Sequence, residues 1–158
     1  MGLDITAYRN LAPVANPEFD EYNELKNWET EWLPGTSMDW SESVWEGRGE
    51  GVNAHTVYTW EDCFDFRAGS YSGYGWWRDK LEEISDGESF QELINFADNE
   101  GVIGSVVSQK LYTDFIKNYD KAEEHSKKIN DGEYWLNKYD CWMKAFDMAR
   151  YNGAVDFH

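Results

Sequence analysis

Leu3, Ile5 and Ala7 alternate with Asp4, Thr6 and Tyr8, the period of a strand with one buried face. The pattern then lapses. From about Asn16 to Gly51 no period is sustained, and Pro17, Pro34-Gly35, Gly47, Gly49 and Gly51 punctuate turns. A stretch of that kind in a compact domain is functional or disordered. Trp28, Trp32, Trp40 and Trp45 argue for order, because each indole needs somewhere to pack. Alternation returns from about Thr56 to Arg67, where Phe64 and Phe66 oppose Cys63, Asp65 and Arg67, and Ala68 to Gly75 reads as a Gly/Ser/Tyr turn.

Helical spacing takes over from there. Trp77, Leu81 and Ile84 share a face, and Phe90, Leu93, Ile94 and Ala97 form a next short helix closed by Asn99-Glu100-Gly101, with Gly101 as a left-handed cap. Ile103, Val107, Leu111 and Phe115 step by fours and continue through Tyr119 to Ala122. Trp135, Tyr139, Trp142, Phe146 and Ala149 form a second stripe, and the two amphipathic helices join at Asn130-Asp131-Gly132 as an antiparallel pair. Asn152-Gly153 ends the second helix, and Ala154 to Phe157 returns as a short strand. The predicted fold is a single α+β domain spanning 1–158. It has a small, mainly antiparallel sheet covered on one face by helices, an irregular segment at about 16–51 and a helical part at about 70–151.

Charge divides the chain unevenly. Through Glu100 there are 22 acidic against 6 basic residues; from Gly101 onward there are 9 against 8, and the whole carries −17. Such a balance repels nucleic acid and anionic lipid and attracts basic surfaces. An aromatic share of 17 % argues against disorder. There is no run of eighteen apolar residues to span a membrane, and the first residues carry no signal-peptide pattern. Gly2 and Thr6 formally fit a myristoylation pattern, but a strand at Leu3 to Tyr8 fits that stretch better. Cys63 and Cys141 read as reduced thiols filling apolar space, Cys63 at an inward strand edge, which places the protein in a cytoplasm.

The opening Met1-Gly2-Leu3-Asp4-Ile5-Thr6-Ala7-Tyr8 resembles the start of a group of small proteins encoded by phages and prophages. The stretches Phe64 to Tyr74, Phe96 to Gly101 and Asn152 to His158 extend the resemblance over most of the chain. The group has no assigned activity. What the resemblance implies is a setting: an accessory protein in an infected bacterial cytoplasm, where counter-defence and host takeover are common tasks.

Three constellations could carry chemistry. Residues 18–50 hold ten carboxylates against Lys26 and Arg48. Carboxylates on a rigid surface can imitate the phosphate spacing of a duplex, with Trp side chains as anchors. The residues picked out for partner binding are Trp28, Glu29, Glu31, Trp32, Asp39, Trp40, Glu42 and Trp45. The bland reading is a solvated surface over aromatic packing.

The second constellation is Arg67, Ser70, Tyr71, Tyr74, Trp77 and Arg78, where arginine forks and rings could hold an anionic nucleotide. Its bland reading is a strand-to-helix turn with Ser70 or Ser72 as N-cap and Arg67 balancing Asp65 or stacking on a Trp. The third is a weak metal or acid–base set, Asp98, Glu100, Asp156 and His158, against which stands fraying at a chain end.

His55 and His125 stand in no nucleophile or metalloprotease motif, and His125, between Glu123-Glu124 and Lys127-Lys128, reads as part of a solvated helix face. The expectation is a non-enzymatic protein without a cofactor, acting by binding a basic host or defence protein, nucleic-acid-binding and CRISPR-type proteins among the targets. It binds neither nucleic acid nor membrane directly. A nucleotide-sequestering protein is the alternative, and a hydrolase stands third.

Overall fold

The computed structural model describes residues 2–96 and 101–158. Strand β1 (Gly2–Arg9) lies at the centre of a four-stranded antiparallel sheet, flanked by β4 (Asp62–Ser70) and β6 (Ala154–Phe157), with β5 (Gly101–Gly104) beyond β6. Two short strands, β2 (Ala12–Pro13) and β3 (Tyr58–Thr59), form a separate ladder. The helices are α1 (Gly35–Val44), α2 (Tyr71–Glu82), α3 (Gln91–Ile94), α4 (Ser105–Lys117), α5 (Tyr119–Ser126) and α6 (Gly132–Ala149). The architecture is α+β.

The alternation in β1 assigns the two sheet faces. Leu3, Ile5 and Ala7 are fully buried against the helices, together with Val155 and Phe157 of β6 and the half-buried Phe64 and Phe66 of β4. The α6 stripe Trp135, Tyr139, Trp142, Phe146 and Ala149 is buried along its length, as its spacing predicts. Trp142 stacks between Trp77 and Phe146 at 5.7 and 5.8 Å and meets Phe66 edge-on. Buried hydroxyls find main-chain acceptors: Tyr74 donates to the Phe96 carbonyl and Tyr139 to the Phe115 carbonyl.

Asp4, Thr6 and Tyr8 point to the other face. Half of that face is covered by the chain between β1 and β4. There Tyr8, Leu11, Trp32, Met38, Tyr58, Val102 and Ala154 make a second, smaller core. Trp32 and Tyr58 exchange main-chain hydrogen bonds at 2.8 Å, and Tyr8 meets Trp32 and Trp60 with ring centroids 4.8 Å apart.

Five expectations are corrected. The 16–51 segment, read as irregular throughout, contains α1, which begins directly after Pro34 and buries only Met38 and Ser41, too few positions to show a period. No turn occupies 68–75: β4 runs straight into α2, and Ser70 caps the helix by accepting from the Gly73 N–H at 3.0 Å. Gly101 opens β5 with φ +142°, where a Cβ would press on Phe96 and Ser41, instead of capping a helix. The rest of that proposed closure, with Ala97, lies outside the described residues. Ile103 belongs to β5, and the helix read through to Ala122 breaks at Asn118, which leaves helical geometry at φ −99°, ψ +11° while its buried side-chain amide donates to the Asp114 carbonyl and to Ser89 Oγ. Cys63 is exposed on the outer face, because it shares parity with Asp65 and not with Phe64.

Candidate partner-binding surface

The acidic segment presents itself in two pieces. The first is a hairpin-like turn closed by the Phe19–Leu25 bridge. Asp20 fixes it: one carboxylate oxygen accepts from the N–H groups of both Tyr22 and Glu24 at 2.9 Å. The turn holds Tyr22 out at 77 % exposure between Glu21 and Glu24, which are also exposed. The second piece is α1, where Asp39, Trp40 and Val44 face solvent. Between the two stand Trp28, 70 % exposed, and Glu29.

The predicted contact residues divide accordingly. Trp28, Glu29, Asp39 and Trp40 are on the surface. Trp32, at 7 % exposure, is core and unavailable to a partner, a correction that follows from its strand-like pairing with Tyr58. Glu42 is largely occupied within the chain: its carboxylate accepts from the Gly47 N–H at 2.9 Å and from the Gly49 N–H, holding the loop after α1. Glu31 is half-buried and accepts from Asn27. Trp45 is half-buried with the Arg48 guanidinium 4.3 Å from its ring centroid, and Phe96 flanks the same guanidinium at 4.3 Å. Asp39 stands 3.0 Å from His55 Nε2. Sequence reasoning missed Phe19, Tyr22 and Val44, all exposed; Tyr22 was signalled by the turn residues Asp20 and Asn23 around it.

The arginine and aromatic set does not assemble. Tyr74 and Trp77 are buried to 2 % and 1 % exposure, with their polar atoms used inside the core. Arg78 lies over the Tyr74 ring and donates to the Ile94 carbonyl at 2.8 Å, tying α2 to α3. Ser70 is a cap, Tyr71 is exposed, and Arg67 is on the outer sheet face, where its Nη1 reaches Asp4 at 3.1 Å and not Asp65. The alternation of β4 turns Arg67 outward, while the helical period turns Tyr74 and Trp77 inward.

Of the weak metal set, Asp98 and Glu100 lie outside the described residues. Asp156 and His158 do share the outer sheet face, and His158 is anchored by exchanging main-chain hydrogen bonds with Asp4. Thr6 Oγ1 donates to Asp65 at 2.7 Å and lies 2.9 Å from His158 Nε2, so with the hydroxyl proton committed to Asp65 the imidazole nitrogen is the donor. Among the described residues no group of three His, Cys, Asp or Glu side chains converges to hold a metal ion. Burial and the neighbouring Asp65 and Asp62 carboxylates push the Cys63 thiol up, away from thiolate chemistry.

His125 departs from the solvated position its charged neighbours suggest. Its ring meets Trp135 edge-on at 5.5 Å, and its Nε2 is 2.9 Å from Glu83. Lys80, and His125 after it, hold the Glu83 carboxyl below its ordinary value. Among the described residues no helix is long and apolar enough to cross a membrane. No family model matches the chain, and no curated protein or solved structure does either.

Proposed function

We propose that this is a non-enzymatic binding protein whose acidic, aromatic-studded face occupies a basic surface on another protein. One observation carries the reading. Phe19, Tyr22, Trp28, Trp40 and Val44, half of the large apolar side chains exposed among the described residues, fall within 26 residues and are interspersed with exposed carboxylates. Scattered surface hydrophobics need no explanation, but aromatic anchors concentrated among exposed carboxylates suit an interface with an electrostatic rim. The resemblance to phage and prophage proteins gives the setting, a bacterial cytoplasm in which the target is a host or defence protein, and a nucleic-acid-binding, CRISPR-type surface is the best match for a carboxylate decoy.

The test is affinity capture from bacterial lysate, followed by binding measurements on the purified captured protein. The reading expects release by salt, competition by nucleic acid where the target binds it, and loss of capture on Trp28→Ala. Capture that survives both high salt and Trp28→Ala contradicts it.

A further inference from the structure

The two edges of the main sheet are finished differently. At β5 the loop after α1 closes the edge: the Gly104 N–H donates to the Arg48 carbonyl at 2.9 Å, and a Cβ on Gly104 would overlap the Glu50 carbonyl oxygen. At β4, nine residues long, β1 is the one paired neighbour among the described residues.

The register shows which groups that edge exposes. Asp4 and His158 exchange both main-chain hydrogen bonds, so Asp4 directs its groups at β6, and the alternation of an antiparallel strand directs those of Ile5, Ala7 and Arg9 at β4. The Arg9 carbonyl accordingly accepts from the Glu61 N–H. Their partners Phe66, Phe64 and Asp62 point back at β1, leaving the main-chain groups of Cys63, Asp65 and Arg67 directed away from the sheet.

Two side chains cover the ends of this row. Asp62 accepts from the Cys63 N–H at 2.9 Å, and Lys138 reaches from α6 to donate to the Arg67 carbonyl at 2.7 Å. Between them Asp65 keeps both main-chain groups facing outward, under a carboxylate that repels its own copy. An uncovered edge of this length is a template for another strand, and lysine, inward-turned charge and side-chain caps are the usual protections. The self-complementary occupant is a second copy, pairing about a two-fold axis and closing the assembly at a dimer.

We infer that the outer edge of β4 is a latent pairing surface for a second copy of this chain, held shut by Lys138 and Asp62. Sedimentation velocity and amide exchange on the parent, on Lys138→Met with Asp62→Ala, and on Lys138→Met alone test it. The parent is expected to remain monomeric, with Asp65 and Arg67 amides exchanging faster than those of Phe64 and Phe66. The double variant is expected to double its 18.5 kDa mass with rising concentration, more so at high salt, and to slow the Asp65 and Arg67 amides to the range of Phe64 and Phe66. Lys138→Met keeps the aliphatic stem, so it carries the test if the double variant fails to fold, and Lys138→Arg should restore the monomer. Protected Asp65 and Arg67 amides in the parent, folded variants that stay monomeric, or a dimer in which those amides still exchange fast would each overturn the inference.

Discussion

Trp77 and Trp135 exchange hydrogen bonds through their indoles: each Nε1 donates to the other's main-chain carbonyl, at 3.1 and 3.2 Å, with the rings 6.3 Å apart and near parallel. The pair locks α2 to α6 with polar atoms satisfied on both sides. Trp142, equally buried, has no partner for its Nε1 among the described residues. The two tryptophans should therefore answer differently to the same change. Trp77→Phe removes one of these two bonds, while the Trp135 carbonyl keeps its place in the α6 ladder, and should cost about 0.5–1.5 kcal/mol on that account. Trp142→Phe loses no such bond and should cost less, whereas Trp142→Ala opens a cavity worth about 3–5 kcal/mol. Thermal denaturation of the three variants checks this order; equal losses for the two Phe variants would contradict it.

Alkaline pH provides a second check on the cores. Burial, then the Asp156 and Asp65 carboxylates, raise the Tyr8 phenol far above its ordinary value of 10.0; burial and Tyr119, Asp114 and Asp140 do the same for Tyr139. Both phenols hold their protons in the folded state where an unfolded chain would release them. Their contribution is thus fully present below about pH 10 and is lost as pH rises beyond it. Absorbance at alkaline pH should show Tyr8 and Tyr139 ionising together with unfolding. Their ionisation while circular dichroism stays native would contradict the burial assigned to them.

Regular parts of the fold were legible in the sequence because periodicity reports one buried face. The β1 alternation, the α6 stripe and the return of β6 are each visible in the positions of Leu3, Ile5 and Ala7, of Trp135 to Ala149, and of Val155 and Phe157. Helix α1 was not legible, since a helix that buries only Met38 and Ser41 leaves no stripe. The direct passage from β4 to α2 was hidden by glycines at 73 and 75 that sit inside the helix. At the candidate surface, composition identified the segment but could not separate Trp28 from Trp32. That separation depends on Trp32 pairing with Tyr58, 26 residues away.

The two arginines that composition grouped together should separate on mutation. Arg67 makes an exposed pair with Asp4, and such pairs contribute about 0–1 kcal/mol, so Arg67→Lys should change neither melting nor partner capture. Arg78 joins α2 to the end of α3, and Arg78→Ala should lower the melting temperature measurably. Loss of partner capture in Arg67→Lys, with calorimetry detecting a nucleotide bound to the parent, would return the arginines to a binding role.

Glu42 separates a structural carboxylate from surface ones. Its two contacts to the Gly47 and Gly49 N–H groups hold the loop that shields β5. Glu42→Ala should destabilise the protein by leaving those donors, the buried Gly49 N–H among them, without their acceptor, whereas Glu29→Ala should leave stability within about 0.5 kcal/mol. Chemical denaturation of the two variants distinguishes them; equal stabilities would mean that the loop does not depend on this carboxylate.

Charge reversal confined to the exposed carboxylates is the most direct test of the binding face. Glu21→Lys, Glu24→Lys, Glu29→Lys and Glu46→Lys combined leave Asp20 and Glu42, which hold local structure, untouched. At about 0.15 M salt, where screening acts over roughly 8 Å, affinity for the captured basic protein should fall steeply, with circular dichroism unchanged. The parent's own affinity should weaken toward that of the variant as salt rises. Equal affinity of parent and variant across that salt range, with the fold intact, would contradict an acidic face as the seat of binding.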